Sequence, residues 1–219
     1  KVLRSVPIPD LAPGDVWIKW VQLNKTIIVS SEADAEVGIP LYVVNRESGK
    51  IVAKMGFPII PTAYLIIHPN KPLMYFNSFK DPYFAVWDME KYKITNKIEI
   101  TPRTDRMLFF KNKNEVWIAS SLDGSILRYN ADTLKNTGFI KSNIGDRTLS
   151  IDYKRNLLFT GNFMNGRLTV IDLSTQKKVA SYYLGPWIRT IALNTEKGIA
   201  YVSTVRGLFT IRYIQDVDK

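Results

Sequence analysis

The chain repeats itself, and the repeat limits the folds open to it. Strand-like runs ending in small polar residues recur at TIIVSS (26–31), LMYFNS (73–78), EVWIAS (115–120), NLLFTG (156–161) and GIAYVS (198–203), with starts about 41 to 47 residues apart. A second series follows them: LYVVN (41–45), FAVWD (84–88), ILRYN (126–130), LTVID (168–172) and LFTIR (208–212). A third closes the units at KIVAKMGF (50–57), KITNKIEI (93–100), NTGFIKSN (136–143) and KVASYYLG (178–185). A fourth opens them at VWIKWVQL (16–23), AYLIIHP (63–69), RMLFFKN (106–112), RTLSIDY (147–153) and RTIALNT (189–195).

These runs are rich in β-branched and aromatic side chains, with Asn, Asp, Gly or Lys at the breaks. No ten-residue stretch carries a helical period. A unit of four short antiparallel strands cannot cover both of its apolar faces alone. Neighbouring units must stack, and radial stacking also protects the sheet edges. The expected fold is therefore all-β, a single β-propeller domain of four-stranded antiparallel blades.

Five blades are expected, over about 15–58, 59–101, 102–143, 144–186 and 187–219. The last of these shows only three strands. KVLRSVPIP (1–9) reads like the fourth strand KIVAKMGFP (50–58), so it is expected to pair beside residues 207–214 and close the ring. The other reading is an arc of a larger ring.

AYVST (200–204), LFTGN (158–162) and TVIDLSTQKKVASYYLG (169–185) resemble the YVTN type of bacterial propeller repeat, and the resemblance runs along essentially the whole chain. It implies an extracytoplasmic protein, periplasmic or secreted. Some propeller enzymes resembling this family are lactonases, whose channels carry acidic and amide side chains and sometimes a divalent metal. The residues here that would serve such chemistry are Asp15, Asp105, Asp146, Asn77 and Asn162.

Propeller geometry sorts the turns into two ends. First-to-second and third-to-fourth turns share one end, which collects Lys25, Lys50, Lys71, Lys93, Lys113, Lys135, Lys177 and Lys197, together with Lys91, Lys154, Lys178 and Lys219. With a net charge of +10, this end is the expected surface for an acidic protein or an anionic polysaccharide. Sequence-specific nucleic-acid binding is not expected, because aromatic side chains do not interleave the lysines.

The opposite end carries a register of Asp15, Asp105 and Asp146, each entering a first strand, and of Arg106, Arg147 and Arg189 one position later. Two readings follow. The arginines, with Trp17 and Trp187 nearby, could line the channel mouth and bind an anionic ligand by forked hydrogen bonds. Alternatively, Asp and Arg staple neighbouring blades.

The same end holds the insertion SEADAEVGIP (31–40), read as a solvated acidic loop. There is no cysteine and only one histidine, His68, which reads as a surface or turn residue. No nucleophile relay, metal site or cofactor is expected. The leading expectation is a non-catalytic binding or scaffold module. A lactonase-like or sugar-processing enzyme centred on the channel is the alternative.

Overall fold

The computed structural model describes residues 7–8, 16–21, 26–31, 39–57, 64–77 and 82–214. They fall into two compact units, Lys1–Pro102 and Arg103–Lys219. The first unit holds two four-stranded sheets: β1 (Val16–Val21), β2 (Thr26–Ser31), β3 (Ile39–Asn45) and β4 (Ile51–Phe57), then β5 (Tyr64–Ile67), β6 (Leu73–Asn77), β7 (Tyr83–Asp88) and β8 (Lys93–Glu99).

The second unit holds three sheets. They are β9 (Thr104–Phe110) to β12 (Asn136–Lys141) through β10 (Glu115–Ser120) and β11 (Ser125–Asn130); β13 (Asp146–Asp152) to β16 (Lys177–Tyr183) through β14 (Leu157–Asn162) and β15 (Arg167–Asp172); and β17 (Thr190–Asn194), β18 (Ile199–Thr204) and β19 (Gly207–Arg212). Each sheet is an antiparallel meander in chain order. All nineteen strands lie within about two residues of the runs read from the sequence. One 3₁₀ turn, Lys111–Lys113, is the only helical element among the described residues. The described residues are thus all-β, built of repeated antiparallel sheets.

Burial follows from position within each sheet. Every residue of β10 is buried, because that strand has a neighbour on either side and a packed layer on each face. The fourth strand β8 exposes Lys93, Ile94, Thr95, Lys97 and Glu99, and its lysines discourage further edge pairing.

In the second unit β13 contacts both β9 and β17, so the first strands of the three sheets lie side by side. Strand alternation then sends successive side chains into different layers. Leu158 joins Phe110, Trp117, Ile126 and Ile140 on one side of its sheet. Phe159 joins Ile191, Ala200 and Val202 on the other. Burying a side chain of this size stabilises by roughly 1.5–3 kcal/mol. Gly161 lets β14 approach the next layer, since a Cβ there would sit 2.5 Å from Ile188 Cγ2.

In the first unit Met74, Phe76, Ala85 and Trp87 of the second sheet pack with Ile28 and Val43 of the first. Val29, Tyr42 and Val44 form a separate cluster, against which Ile8 packs. The expected closing strand, 1–9, lies outside the described residues except for Pro7 and Ile8, which are in no strand. The β17–β19 sheet accordingly has three strands among the described residues.

One turn device recurs. The residue at the strand end accepts hydrogen bonds from the backbone N–H groups two and three positions on, an Asx turn. Asn45 Oδ1 holds Glu47 and Ser48 at 3.0 and 2.8 Å. Asp88 holds Glu90 and Lys91. Asn130 holds Asp132 and Thr133, and Asp172 holds Ser174 and Thr175. In the β5–β6 turn the acceptor is His68 Nδ1, which receives Asn70 and Lys71 at 3.0 and 3.1 Å. His68 is therefore a turn residue as expected, but it is buried rather than on the surface.

Candidate functional site

The Asp-Arg register of the second unit lies at the entry to β9, β13 and β17. Its carboxylates face inward. Asp105 is 1% exposed and pairs across sheets with Arg147, whose Nε lies 2.8 Å from Asp105 Oδ2. This is the staple reading, realised at that position.

Asp146 is also 1% exposed and serves a different structural purpose. It accepts from Thr160 Oγ1 at 2.8 Å, Asn162 Nδ2 at 2.8 Å and the Asn143 backbone N–H at 3.0 Å. Asn162 Oδ1 in turn accepts from the backbone of Met164 and Asn165. The knot fixes both the β14–β15 turn and the connector entering β13. Asp105 and Asp146, read from the sequence as ligand-facing, are framework residues, because each is buried and committed to protein donors.

The three arginines are not equivalent, although their register is regular. Arg106 is half-buried, and Arg147 belongs to the staple. Arg189 is exposed and has no acidic partner among the described residues. Its guanidinium lies 5.5 Å from the ring centres of both Phe163 and Trp187, while that of Arg147 lies 4.7 Å from Phe163. Phe163 and Trp187 stack at 5.3 Å with an interplanar angle of 8°. The result is a cation–aromatic platform: the rings hold the Arg189 head in place without neutralising it, while Arg147 is also paired with Asp105. Arg206 adds a further exposed guanidinium, 5.8 Å from the Tyr183 ring.

Phe163 is the platform residue that the register did not single out. Its one visible signal was the aromatic at the β14–β15 turn, in FMNG (163–166). Asp15 lies outside the described residues, and Trp17 is placed on β1 by its backbone alone, opposite Ser30.

The other end of the sheets looks different. Lys50, Lys71, Lys93, Lys113, Lys135, Lys177 and Lys197 are all exposed at or beside turns, and Lys25 lies outside the described residues. Acidic side chains interleave them. Lys91 pairs with Asp88 at 3.0 Å and Lys154 with Glu196 at 3.3 Å.

Two sheets are joined at this end by a buried network. Arg155 Nη1 donates to Asp152 Oδ2 at 2.8 Å and to the Thr195 carbonyl at 2.6 Å, and the Tyr213 hydroxyl donates to Asp152 Oδ2 at 2.8 Å. Burial raises the Asp152 carboxyl, but hydrogen bonds from Arg155 and Tyr213 outweigh it and hold the group below the usual carboxylate range. Burial, together with the Asp152 carboxylate, pushes the Tyr213 hydroxyl far up.

Among the described residues no group of three or more acidic or histidine side chains is placed to hold a metal ion. Among them, too, no helix is long and apolar enough to cross a membrane. No family model matches the chain, and no curated protein does either. Among solved structures the chain is similar to the computationally designed Ika8 protein, with a TM-score of 0.68 and 13% sequence identity. The alignment covers 90% of this chain and 57% of that one. At such identity the likeness is one of fold, and this chain spans little more than half of the designed protein.

Proposed function

We propose that this chain is a non-catalytic β-propeller binding module, of the YVTN-like bacterial kind and extracytoplasmic, that recognises an anionic ligand or an acidic protein partner. In this reading the five repeated sheets are blades, and the N-terminal segment supplies the strand that the β17–β19 sheet lacks. The observation that carries the reading is Arg189. It is an exposed guanidinium without an acidic partner among the described residues, backed by two stacked rings. A cation held in this way is pre-organised for a carboxylate, phosphate or sulfate, so little side-chain freedom is lost on binding.

The test is anisotropy titration of the whole chain with a fluorescein-labelled deca-glutamate peptide at low and moderate salt. Salt-sensitive binding is expected, weakened about tenfold by Arg189→Ala, as for a lost charged contact. Equal affinities for wild type and variant would remove Arg189 from the site. A thermal-shift screen with calcium, magnesium and anionic sugars separates this reading from a channel-centred enzyme. Stabilisation by the cations alone would favour the enzyme.

A further inference from the structure

Trp187 has φ +61°, in the left-handed region that bulky side chains avoid. In the preceding repeat the same position is a glycine. Gly145, like Trp187, stands two residues before a register arginine, and it has φ +87°. The two amides make the same bond to the neighbouring turn: Gly145 N to Ser121 O at 2.7 Å, and Trp187 N to Phe163 O at 3.0 Å. The backbone therefore calls for positive φ here, which glycine adopts without strain.

Burial does not account for the tryptophan. Leu134, also at positive φ, is 1% exposed in the core, whereas Trp187 remains 47% exposed. Trp187 keeps one face of its indole on Phe163 and leaves much of the ring to solvent, and strain at a residue so exposed points to a role outside the fold.

The surroundings indicate what that role is. Phe163, on which Trp187 stacks, is followed by Met164, which is 69% exposed and beside Gly145, where a Cβ would lie 3.0 Å from Met164 Cγ. Trp187 and Phe163 thus form a stacked apolar pair, with the exposed guanidinium of Arg189 over both rings. The carboxylates of the same register, Asp105 and Asp146, are buried and spent. A stacked aromatic pair beside an exposed guanidinium complements an acidic segment that also carries an apolar side chain. Tryptophan and arginine are the residue types that dominate such contacts.

We infer that Trp187 is the anchor of a docking surface for an acidic protein segment bearing an apolar side chain, which packs on the indole while its carboxylates meet Arg189. This rests on the binding-module reading above and specifies its partner. The experiment compares three fluorescein-labelled decapeptides on the intact chain: deca-glutamate, the same peptide with two central phenylalanines, and a glutamine version of the latter. The variant is Trp187→Gly, which suits the backbone better.

The phenylalanine-bearing acidic peptide is expected to bind about tenfold tighter than deca-glutamate, and the glutamine peptide to bind neither wild type nor variant. In Trp187→Gly that tenfold preference should vanish, while deca-glutamate affinity should fall by less than it does in Arg189→Ala, because Phe163 still backs the guanidinium. The variant's Tm should hold or rise by about 2–4 °C, as strain is relieved. Equal affinity of wild type for both acidic peptides would overturn the anchor while leaving the binding-module reading intact. A lower Tm in the variant, with the preference retained, would make Trp187 a packing residue. Failure of all three peptides to bind would sink both readings.

Discussion

The two ends of the sheets in the second unit both carry positive charge, but they use it differently. At the turn end charges are spent locally: Arg155 on Asp152, Lys154 on Glu196. At the connector end the acids are withdrawn into the framework, and Arg189 is left propped on aromatic rings. A count of lysines and arginines would rank the turn end as the stronger anionic site. Pairing narrows that ranking without reversing it: Lys154 and Arg155 sit beside their own carboxylates, whereas Lys113, Lys135, Lys177 and Lys197 are exposed with no ion pair among the described residues.

The sharpest way to break this comparison is Asp152→Ala. The side chain is fully buried and holds Arg155 and Tyr213, so removing it leaves a half-buried guanidinium and a part-buried hydroxyl without their acceptor and should cost about 3 kcal/mol in urea unfolding. The pH dependence carries the same sign. Because the folded carboxyl titrates below its unfolded value of about 3.9, its stabilisation is complete above that pH and fades as pH falls through the depressed folded value. Asp152→Asn should flatten that acid limb of the stability curve. A variant with unchanged stability and acid response would show that the turn end is not held by this network.

A smaller effect is expected at the connector end. Arg147→Ala leaves Asp105 buried without its guanidinium and should cost roughly 2 kcal/mol, a good part of it recovered in the Asp105→Asn, Arg147→Ala double variant. Strict additivity in the cycle would deny the staple. The smallest effect belongs to His68. His68→Ala should lose about 1 kcal/mol with the turn acceptor, whereas His68→Asn, which restores an oxygen suited to this turn, should lie within about 0.5 kcal/mol of wild type. Equal losses for both substitutions would mean that the ring's packing matters more than its acceptor.

The strands were legible because each is a short alternating run closed by a turn residue, and alternation is a local property that survives tertiary packing. EVWIAS (115–120) was read as a strand from its side chains alone, and β10 spans those residues. The site was only partly legible. The Asp-Arg register could be aligned, but whether Arg147 meets Asp105 or solvent depends on the spacing between two sheets, which no single repeat encodes. Trp187 was visible as an aromatic near the mouth, whereas its left-handed backbone became apparent only beside Gly145. The acids among the lysines, Asp88 and Glu196, were in plain view, and their pairing was hidden until the turns were folded.

The turn device separates architecture from surface chemistry. The chain reverses direction because Asn45, Asp88, Asn130 and Asp172 grip the backbone from the strand ends, so an exposed tip residue such as Glu90 contributes no side chain to that grip. Tips can accordingly drift or be rewritten in sequence, from cationic to neutral or acidic, while the strands keep their register. The electrical character of that end is therefore an adjustable coating laid over a fixed frame.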